Sequence, residues 1–454
     1  MTSHYLKTIW IFVIFVYQSA DANFVKKNVC SITINSNNEI NSFRKSLPVD
    51  KFNFYELTSS DSQNWFQNAC ASNVQCDVLL LSGHFASQFF GDRGLHLTTQ
   101  LLEEKSCLKT CAGVTQAPKE IFLFGCNTLA DKKPDQRTPQ QYMQILINDG
   151  FRESTARTIA MARYSPVDHS FRQRMNHVFQ SAPIIYGFSA AGPKGVYAET
   201  PVTQFVQDMG DYSKHLDLLA DANVKLKTQE LSKSQKIWKK HFAVYNGASE
   251  IKTEDISEET QLVCQANNFV KSKNNALVSL EKLLQKENRL AYLLLAEKLL
   301  RNLTNSMLNT DEKIALEKIK TNLEFKNEVL SGFQYLSYNI DLSLKVIRMM
   351  NFLGWLSIDQ NNEFTSETLG KFLTQQNLKN SDYESICDSG FWHRDFSYQF
   401  TNLQLANPKL IRVLSCLRVK NKQIIEQLQQ LYNDPSVSRS VKSEIYIFLY
   451  RLGI

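Results

Sequence analysis

The sequence predicts an α/β domain built on a mainly parallel sheet with helices on both faces, followed by an all-α domain. Apolar, strand-like runs alternate with helix-compatible segments over residues 23–200, an order that is typical of parallel sheets. From about Asp211 the strand signal disappears, and apolar residues recur at spacings of three and four, as in amphipathic helices. A chain of 454 residues with 43% hydrophobic residues has enough apolar material for two or three packed cores.

The first 22 residues predict a secretory signal peptide. Lys7 provides a positive charge, Ile9 to Tyr17 is an apolar run, and Ala20 to Ala22 fits the small-x-small cleavage pattern. An uncleaved anchor is the alternative, but this run is shorter than the roughly 20 residues that span a bilayer. We therefore expect an exported protein, periplasmic or extracellular, that is not held in the membrane after signal cleavage.

The α/β domain is predicted at residues 23–255 from its alternating segments. The predicted strands are Val29–Asn35, Phe52–Thr58, Asp77–Ser82, Glu120–Gly125 and Pro183–Ser189. The predicted helices are Ser36–Leu47, a helix capped by Ser60 or Asp61 that runs to Ala71, Thr98–Cys107, Pro139–Asn148, Arg152–Tyr164, Phe171–Phe179, Asp211–Lys227 and Gln229–Phe242. The last two helices are expected to pack back on the sheet, and the polar, acidic segment Glu250–Glu259 is expected to mark the domain boundary.

The helical domain is predicted at residues 256–454. Its helices are expected at Leu277–Leu284, Leu290–Leu303, Ile314–Leu330, Leu342–Phe352, Leu410–Leu417, Ile424–Leu431 and Val441–Leu452. About 40 residues per helix pair would suit HEAT-like repeats. Because no strict repeat motif is visible, an irregular helical bundle remains the alternative.

The nine cysteines all follow the predicted signal peptide, where the environment is oxidising. An odd number leaves at least one thiol without an intramolecular partner. If Cys126 is set aside, eight remain, which is enough for four disulfides. Cys70 and Cys76, like Cys107 and Cys111, are neighbours in sequence, but spacing does not determine connectivity. Ordinary buried thiols are the alternative interpretation for several of them.

Charge and motif content exclude several function classes. The net charge is +6 and the basic residues are scattered, so a nucleic-acid partner is not expected. No HExxH or other metal-ligand spacing and no GxxxxGK[ST] or GxGxxG motif is present, so neither a metal site nor a cofactor is predicted. The expected partner is a protein or peptide.

Two predicted strands end in the same way, with an apolar run, a glycine and one reactive side chain. The first reads Leu79-Leu80-Leu81-Ser82-Gly83-His84, and the second reads Ile121-Phe122-Leu123-Phe124-Gly125-Cys126-Asn127. If the strands are parallel and joined by a right-handed crossover, both carboxyl ends lie at the sheet edge where α/β proteins place their sites. His84 and Cys126 would then face each other.

A thiol and an imidazole at one site are a typical pair for acyl transfer. A free thiol is mostly protonated at neutral pH, and a neighbouring imidazole can take its proton. The thiolate attacks the acyl carbon, and the imidazolium then protonates the leaving amine. Small residues beside the nucleophile let backbone N–H groups approach the developing oxyanion.

These strand ends resemble the caspase-like group of cysteine peptidases, which includes caspases, gingipain-type enzymes and CHAT domains. In that group the catalytic His ends one buried strand and the catalytic Cys ends the next. The resemblance covers about residues 28–200 and implies a caspase-like endopeptidase with Cys126 as nucleophile and His84 as general base. The group usually has Gly after the His, whereas Phe85 stands here. The implied oxyanion donors are therefore the backbone N–H groups of Phe85 and Cys126, and the Phe85 side chain is expected to crowd the pocket.

The same resemblance indicates where the substrate binds. In caspase-like folds the end of the later strand borders the pocket for the residue before the scissile bond, so Ser189 and Ala190 are candidate pocket residues. The polar segment Asn127–Thr138 is expected to form a loop over the cleft. Its Arg137, Asp131 and Asp135 are candidates for binding a substrate charge; the alternative is that all three only anchor the loop.

Other functions are possible from the sequence alone. The main rival is a non-catalytic scaffold whose helical domain binds a protein partner. Gly187-Phe188-Ser189-Ala190-Ala191 comes close to the nucleophile elbow of serine hydrolases, but Pro193 and Gly195 disfavour the helix that should follow it directly. The aromatic cluster Phe391–Phe396 reads either as a partner-binding patch or as a packed turn.

Overall fold

The protein was analysed as a computed structural model. It describes residues 25–454 except 59–63, 92–93, 132–135, 166–169, 246, 253–256, 269–274, 304–307, 337–339, 375–382, 384–385 and 388–395. The predicted signal peptide and most of the Phe391–Phe396 cluster lie outside the described residues. Within the described ranges, no helix is both long enough and apolar enough to cross a bilayer.

Nine strands form two sheets in the N-terminal part of the chain. They are β1 (Lys27–Thr33), β2 (Phe52–Glu56), β3 (Val78–Ser82), β4 (His84–Phe85), β5 (Gln88–Phe90), β6 (His96–Thr98), β7 (Glu120–Phe124), β8 (Ile184–Phe188) and β9 (Ala248–Lys252). The main sheet has the order β2-β1-β3-β7-β8-β9, in which β9 is antiparallel and the other strands are parallel. Strands β4, β5 and β6 form a small antiparallel sheet directly after β3.

Helices cover both faces of the main sheet, as the alternating pattern predicts. The helices of this part are α1 (Asn38–Ser46), α2 (Trp65–Ala71), α3 (Thr99–Cys107), α4 (Ala112–Thr115), α5 (Pro139–Asn148), α6 (Glu153–Tyr164), α7 (Phe171–Val178), α8 (Gly195–Met209), α9 (Tyr212–Ala220) and α10 (Val224–Phe242). Apolar residues of α2, α3, α4 and α7 pack in one core with one face of the sheet. Residues of α1, α8, α9 and α10 pack in a second core on the other face.

All five predicted strands are present, but the expectation that strands end before Asp211 is wrong. Strand β9 pairs with β8 over residues whose sequence is ASEIK, and so it takes up the start of the segment predicted as a polar boundary. An antiparallel strand at the edge of a sheet tolerates polar side chains, which hides its strand character in the sequence. The change to an all-helical architecture therefore falls after Lys252.

All regular secondary structure in the described residues of the C-terminal part is helical. Its helices are α11 (Glu258–Asn267), α12 (Ala276–Leu284), α13 (Leu293–Arg301), α14 (Thr310–Thr321), α15 (Leu323–Gly332), α16 (Ile340–Phe352), α17 (Ile358–Leu373), α18 (Asn402–Leu405), α19 (Pro408–Cys416), α20 (Lys422–Asn433) and α21 (Arg439–Leu452), with 3₁₀ helices at Arg289–Tyr292 and Phe333–Leu336. The predicted single helix Ile314–Leu330 is wrong: Asn322 leaves the helical conformation and its side chain accepts the Phe325 N–H, which starts α15.

Four disulfides join eight of the nine cysteines, as the count predicts. The pairs are Cys30–Cys76, Cys70–Cys111, Cys107–Cys264 and Cys387–Cys416, and Cys126 is the free thiol. The cysteines closest in sequence are not partners, because partners are set by which strands and helices pack together. Four disulfides are compatible with an exported protein.

The helical part is fixed to α3 of the α/β part. The Cys107–Cys264 disulfide links α3 to α11 covalently. Beside it, the Lys298 ammonium lies 2.6 Å from a carboxylate oxygen of Glu104. The Gln100 side chain donates a hydrogen bond of 3.1 Å to the Leu294 carbonyl. The 3₁₀ helix Phe333–Leu336 also contacts α6.

A buried polar network lies at the amino ends of the strands, away from the predicted site. The carboxylate of Glu120, the first residue of β7, lies 3.1 Å from Nε2 of His215 and also accepts the Tyr212 hydroxyl. Nδ1 of His215 lies 2.9 Å from Glu230. Burial alone would lower the pKa of His215, but the two glutamates outweigh it and raise that pKa to about 9. The network ties α9 and α10 to the sheet.

Candidate functional site

The strands that end at His84 and Cys126 are neighbours and run parallel. Strand β3 pairs with β7 from Val78↔Glu120 to Ser82↔Phe124, a constant offset of 42 residues. The Gly83 N–H donates to the Phe124 carbonyl at 3.0 Å, so the pairing extends past β3. The register ends at Ser82↔Phe124, and His84 and Cys126 each follow it by two residues, just past the carboxyl ends of the two strands. The predicted pair therefore occupies matched positions at one edge of the sheet.

Glycines let the two strand ends come together. A Cβ atom on Gly125 would lie 2.7 Å from the Gly83 carbonyl oxygen and 3.0 Å from Cβ of Phe85. Any side chain at this position would push the two strand ends apart. The glycine before Cys126 is therefore explained by close approach of the two backbones.

The Cys126 thiol is closed off from solvent. The residue is 3% exposed and belongs to a packed cluster formed mainly by the hairpin of α5 and α6. The members of this cluster include Ala86, Phe90, Tyr142, Leu146, Phe151, Ala156, Ile159 and Ala160. Burial, opposed by a hydrogen bond from the Gly192 N–H and reinforced by the charge of Asp149, raises the pKa of Cys126 to about 12. In this conformation the sulfur is a protonated thiol.

His84 lies beside this cluster and is more exposed than the thiol. Its ring centroid is 5.5 Å from the rings of both Phe90 and Phe151, which pack in the same cluster as Cys126. Its Nε2 lies 3.5 Å from Nδ2 of Asn35, which follows β1. The imidazole and the thiol thus share an apolar wall at the carboxyl edge of the sheet.

The Phe85 side chain does not enter the cleft, which corrects the expectation that it crowds the pocket. It is fully buried, and its ring packs 4.7 Å from that of Phe89 and 4.9 Å from that of Phe171. This packing turns the side chain into the core beneath one face of the sheet. The missing glycine after His84 is therefore no steric obstacle to a substrate.

Residues 127–130, the first part of the segment Asn127–Thr138 predicted as a loop over the cleft, form a buried turn instead, and residues 132–135, with Asp135, lie outside the described residues. Residues 127–130 are each at most 1% exposed. Asn127 has φ +62°, in the left-handed region that favours Gly and Asn. Its N–H donates to the Ala190 carbonyl at 2.8 Å, and the Leu129 N–H donates to the Phe188 carbonyl at 2.9 Å. The turn is thereby fixed to the end of β8.

Ser189 and Ala190, the predicted pocket residues, lie next to this turn and are half-buried. The Ser189 N–H donates to the Gly247 carbonyl at 2.6 Å, and its hydroxyl donates to the same oxygen at 3.3 Å. The Ala190 carbonyl accepts the Asn127 N–H. Both residues border the site, and their polar groups hold neighbouring backbone. The Ser189 hydroxyl is engaged in this way, which does not favour the role of a hydrolase nucleophile.

Arg137, the other predicted substrate-binding residue, packs on the hairpin that covers the thiol. Its guanidinium carbon lies 5.4 Å from the centroid of the Tyr142 ring. Burial, and then the nearby Cys126 sulfur, raise the pKa of Tyr142 far above its usual value. Tyr142 therefore lies between Arg137 and the sulfur, an arrangement that fits the anchoring alternative.

A buried carboxyl group lies at the same edge of the sheet. Glu39 lies in the first turn of α1 and is 2% exposed. Burial raises its pKa to about 7, although hydrogen bonds from its own backbone N–H and from Ser36 and Ser82 act to lower that pKa. A Cβ atom on Gly195 would lie 1.8 Å from the Ser36 hydroxyl and 3.3 Å from a Glu39 carboxyl oxygen. The first turn of α8 therefore closes over this acid.

Sequence reasoning missed the residues that cover the thiol. Tyr142 and Phe151 lie in and directly after a helix whose apolar positions read as ordinary core. Gly192 lies just past the predicted pocket residues Ser189 and Ala190, and nothing in the sequence indicates that its N–H donates to the Cys126 sulfur. Asn127 stands in the motif itself, but only the structure reveals its hydrogen bonds.

Comparison of the chain with protein-family models, with curated proteins and with solved structures found no match. The candidate site therefore rests on its own geometry: an imidazole and a thiol at matched ends of neighbouring parallel strands, with the thiol covered by a helical hairpin.

Proposed function

We propose that the protein is an exported, periplasmic or extracellular, cysteine endopeptidase of the caspase-like type. Cys126 is the nucleophile and His84 is the general base. The observation that supports this proposal is the parallel pairing of β3 with β7, because His84 and Cys126 each lie two residues past its last pair, at the carboxyl ends of neighbouring strands. The helices on both faces of a mainly parallel sheet agree with the fold that the resemblance implies.

The proposed reaction splits a peptide bond in two steps. His84 takes the thiol proton, and Cys126 attacks the carbonyl carbon of a protein or peptide substrate. The His84 imidazolium then protonates the leaving amine, and water hydrolyses the remaining thioester. Backbone N–H groups of Phe85 and Cys126 are the proposed oxyanion donors, with Ser189 and Ala190 at the border of the substrate pocket.

The described conformation is the closed form of this proposed enzyme. A thiol that is 3% exposed with a pKa of about 12 cannot meet a peptide or supply thiolate at neutral pH. The hairpin of α5 and α6 must therefore move away from Cys126 before catalysis. The proposal is thus a latent peptidase that opens on substrate binding or activation.

The burial of Cys126 also supports a second candidate function, a non-catalytic scaffold. In that case the free cysteine is an ordinary core residue, and the helical part, of HEAT-like or bundle type, presents a surface to a protein partner. The disulfide and ion pair between α3 and the helical part would then hold that surface rigidly.

Labelling with an acyloxymethyl-ketone peptide tests the two candidates. A latent peptidase should be modified at Cys126 with one equivalent of probe, and His84→Ala should slow the labelling at least about 100-fold, as expected for loss of a general base. His96→Ala, which removes an exposed imidazole on β6, is the matched control and should label like the wild type. If Cys126 stays unmodified while denatured protein shows an intact thiol there, the scaffold is supported instead.

A further inference from the structure

Asn127 directly follows the proposed nucleophile, and its side-chain amide has a hydrogen-bonded oxygen but a nitrogen without a hydrogen-bond partner among the described residues. The residue is 1% exposed. Its Oδ1 accepts a hydrogen bond of 3.0 Å from the Tyr142 hydroxyl. Its Nδ2 is buried and has no hydrogen-bond partner among the described residues. Buried donors without acceptors are rare in folded proteins and call for an explanation.

The shape of the turn explains only part of Asn127. Its φ of +62° favours Asn or Gly, and its backbone N–H and carbonyl are engaged by Ala190 and Ala130 at 2.8 and 3.0 Å. Glycine would meet these backbone requirements without burying an amide. The turn therefore accounts for the backbone conformation and leaves the unpaired N–H groups unexplained.

The Asn127 amide is hydrogen-bonded to the cluster that buries the proposed nucleophile. Asn127 follows Cys126 in the chain, and the Tyr142 ring that fixes its Oδ1 packs in the same cluster as Cys126. Because Tyr142 occupies Oδ1, the Nδ2 group is the part of the amide left to donate. An oriented N–H donor held in a site that excludes water is the typical form of an oxyanion-binding group.

Building on the proposed peptidase function, we propose that Asn127 is a catalytic residue whose Nδ2–H binds the oxyanion, and that Tyr142 is the positioning residue that orients it. The Cys126 sulfur forms a bond to the carbonyl carbon, and the C=O π electron pair moves to the oxygen, where Nδ2–H donates to it. The C–N bond then breaks as the pair returns. The amine leaves with the proton that His84 took from the thiol, and an acyl thioester remains on Cys126.

Two reagents that attack the same sulfur separate this role from a structural one. Iodoacetamide alkylates a thiol by displacing iodide and forms no oxyanion, whereas p-nitrophenyl acetate acylates it through a tetrahedral oxyanion. Because the buried thiol is expected to react slowly, both rates are followed at Cys126 by intact mass over hours, with Cys126→Ala as the background. A wild-type protein that reacts with neither reagent overturns the proposed peptidase function, and the role of Asn127 with it. Asn127→Gly keeps the left-handed turn and removes the amide, and Asn127→Asp keeps the shape and replaces N–H by a carboxylate oxygen.

Asn127→Gly and Asn127→Asp should each slow acylation about 100- to 1,000-fold, the range for loss of one oxyanion donor, and leave alkylation within about 2-fold. Tyr142→Phe should slow acylation less than either. Acylation of folded Asn127→Gly or Asn127→Asp at the wild-type rate, or a parallel change in both reactions, overturns the role of Asn127 alone. A wild-type protein that is alkylated but never acylated overturns the proposed peptidase function, and the role of Asn127 with it.

Discussion

His84 and Cys126 each lie two residues past the last pair of two neighbouring parallel strands, yet only His84 is within reach of solvent. The parallel pairing of β3 and β7 brings both residues to one edge of the sheet, and Gly125, before Cys126, lets the backbones of the two strand ends approach. The thiol beneath the α5–α6 hairpin is 3% exposed. In this conformation the reactivity of Cys126 is therefore limited by the burial of its sulfur and by its raised pKa, because the sheet already brings both residues to one edge.

The first prediction concerns the reactivity of Cys126 in the folded protein. With a pKa of about 12 in place of roughly 8.5, the thiolate fraction at pH 8 falls on the order of 1,000-fold. Titration with an aromatic disulfide reagent should therefore detect almost no fast thiol in native protein and one thiol per chain in denaturant. The remaining eight cysteines are disulfide-bonded and serve as the internal control. Rapid reaction of one native thiol would show that Cys126 is open in solution.

The second prediction concerns the buried network of His215. Its folded pKa of about 9 lies above the unfolded value of roughly 6.5, so the folded state holds the proton more tightly. This stabilisation is complete below about pH 6.5 and is lost as the pH rises through 9, an effect of about 3 kcal/mol. Urea denaturation of the wild type at pH 6 and pH 9.5 should show the loss.

His215→Gln is the matched variant for this prediction, because glutamine occupies the same network but does not titrate. It should be less stable than the wild type at pH 6 and should lack this part of the pH dependence. An equal decline in wild type and variant between pH 6 and pH 9.5 would assign the effect to other groups.

The third prediction concerns the buried acid Glu39. Its folded pKa of about 7 lies above its ordinary value of 4.5, so its contribution to stability is complete below about pH 4.5 and is lost as the pH rises through 7. Glu39→Gln removes the ionisation and should raise the free energy of unfolding at pH 8 by up to about 3 kcal/mol, with little change at pH 4.5. Glu153→Gln alters an exposed glutamate on α6 and should show no such gain. A Glu39→Gln variant that is destabilised at pH 8 would indicate that the ionised carboxylate makes a favourable interaction.

The fourth prediction concerns the disulfide between the α/β part and the helical part. Cys107 and Cys264 are separated by 157 residues, so their bond removes a large amount of chain entropy from the unfolded state. Replacing both by alanine should cost about 5 kcal/mol in urea denaturation by the chain-entropy relation. Replacing Cys387 and Cys416, which are 29 residues apart, should cost about 3.5 kcal/mol. A smaller loss for the first pair than for the second would contradict this ordering.

The central strands, and with them the positions of His84 and Cys126 just past the strand ends, could be predicted because a parallel strand buried on both faces is a continuous apolar run in the sequence. Val78–Ser82 and Glu120–Phe124 are fully buried, and four of the five residues in each are apolar, as expected for such strands. Strand β9 was missed because an antiparallel edge strand keeps polar side chains such as Ser249 and Glu250. The strands β4 and β6 are two or three residues long, too short to show a period.

The burial of Cys126 by α5 and α6 could not be predicted, because it depends on the position that this pair of helices takes on the sheet. Amphipathicity indicates that Tyr142 and Leu146 are buried, but it does not say that Cys126 lies beneath them. The disulfide pairs could not be predicted for the same reason. Cys30 bonds to Cys76 only because β1 lies next to β3. Long-range contacts of this kind are set by the three-dimensional packing and leave no local pattern in the chain.

The bond between Cys107 and Cys264 also changes how a matured form of this protein would look on a gel. A single cut in the backbone between these two residues would leave both fragments held together by sulfur, migrating as one species without reductant. Such a nicked molecule would separate into two bands only after reduction. A backbone cut between these cysteines should therefore be looked for on reducing gels, because a single band on a non-reducing gel does not show that the chain is intact.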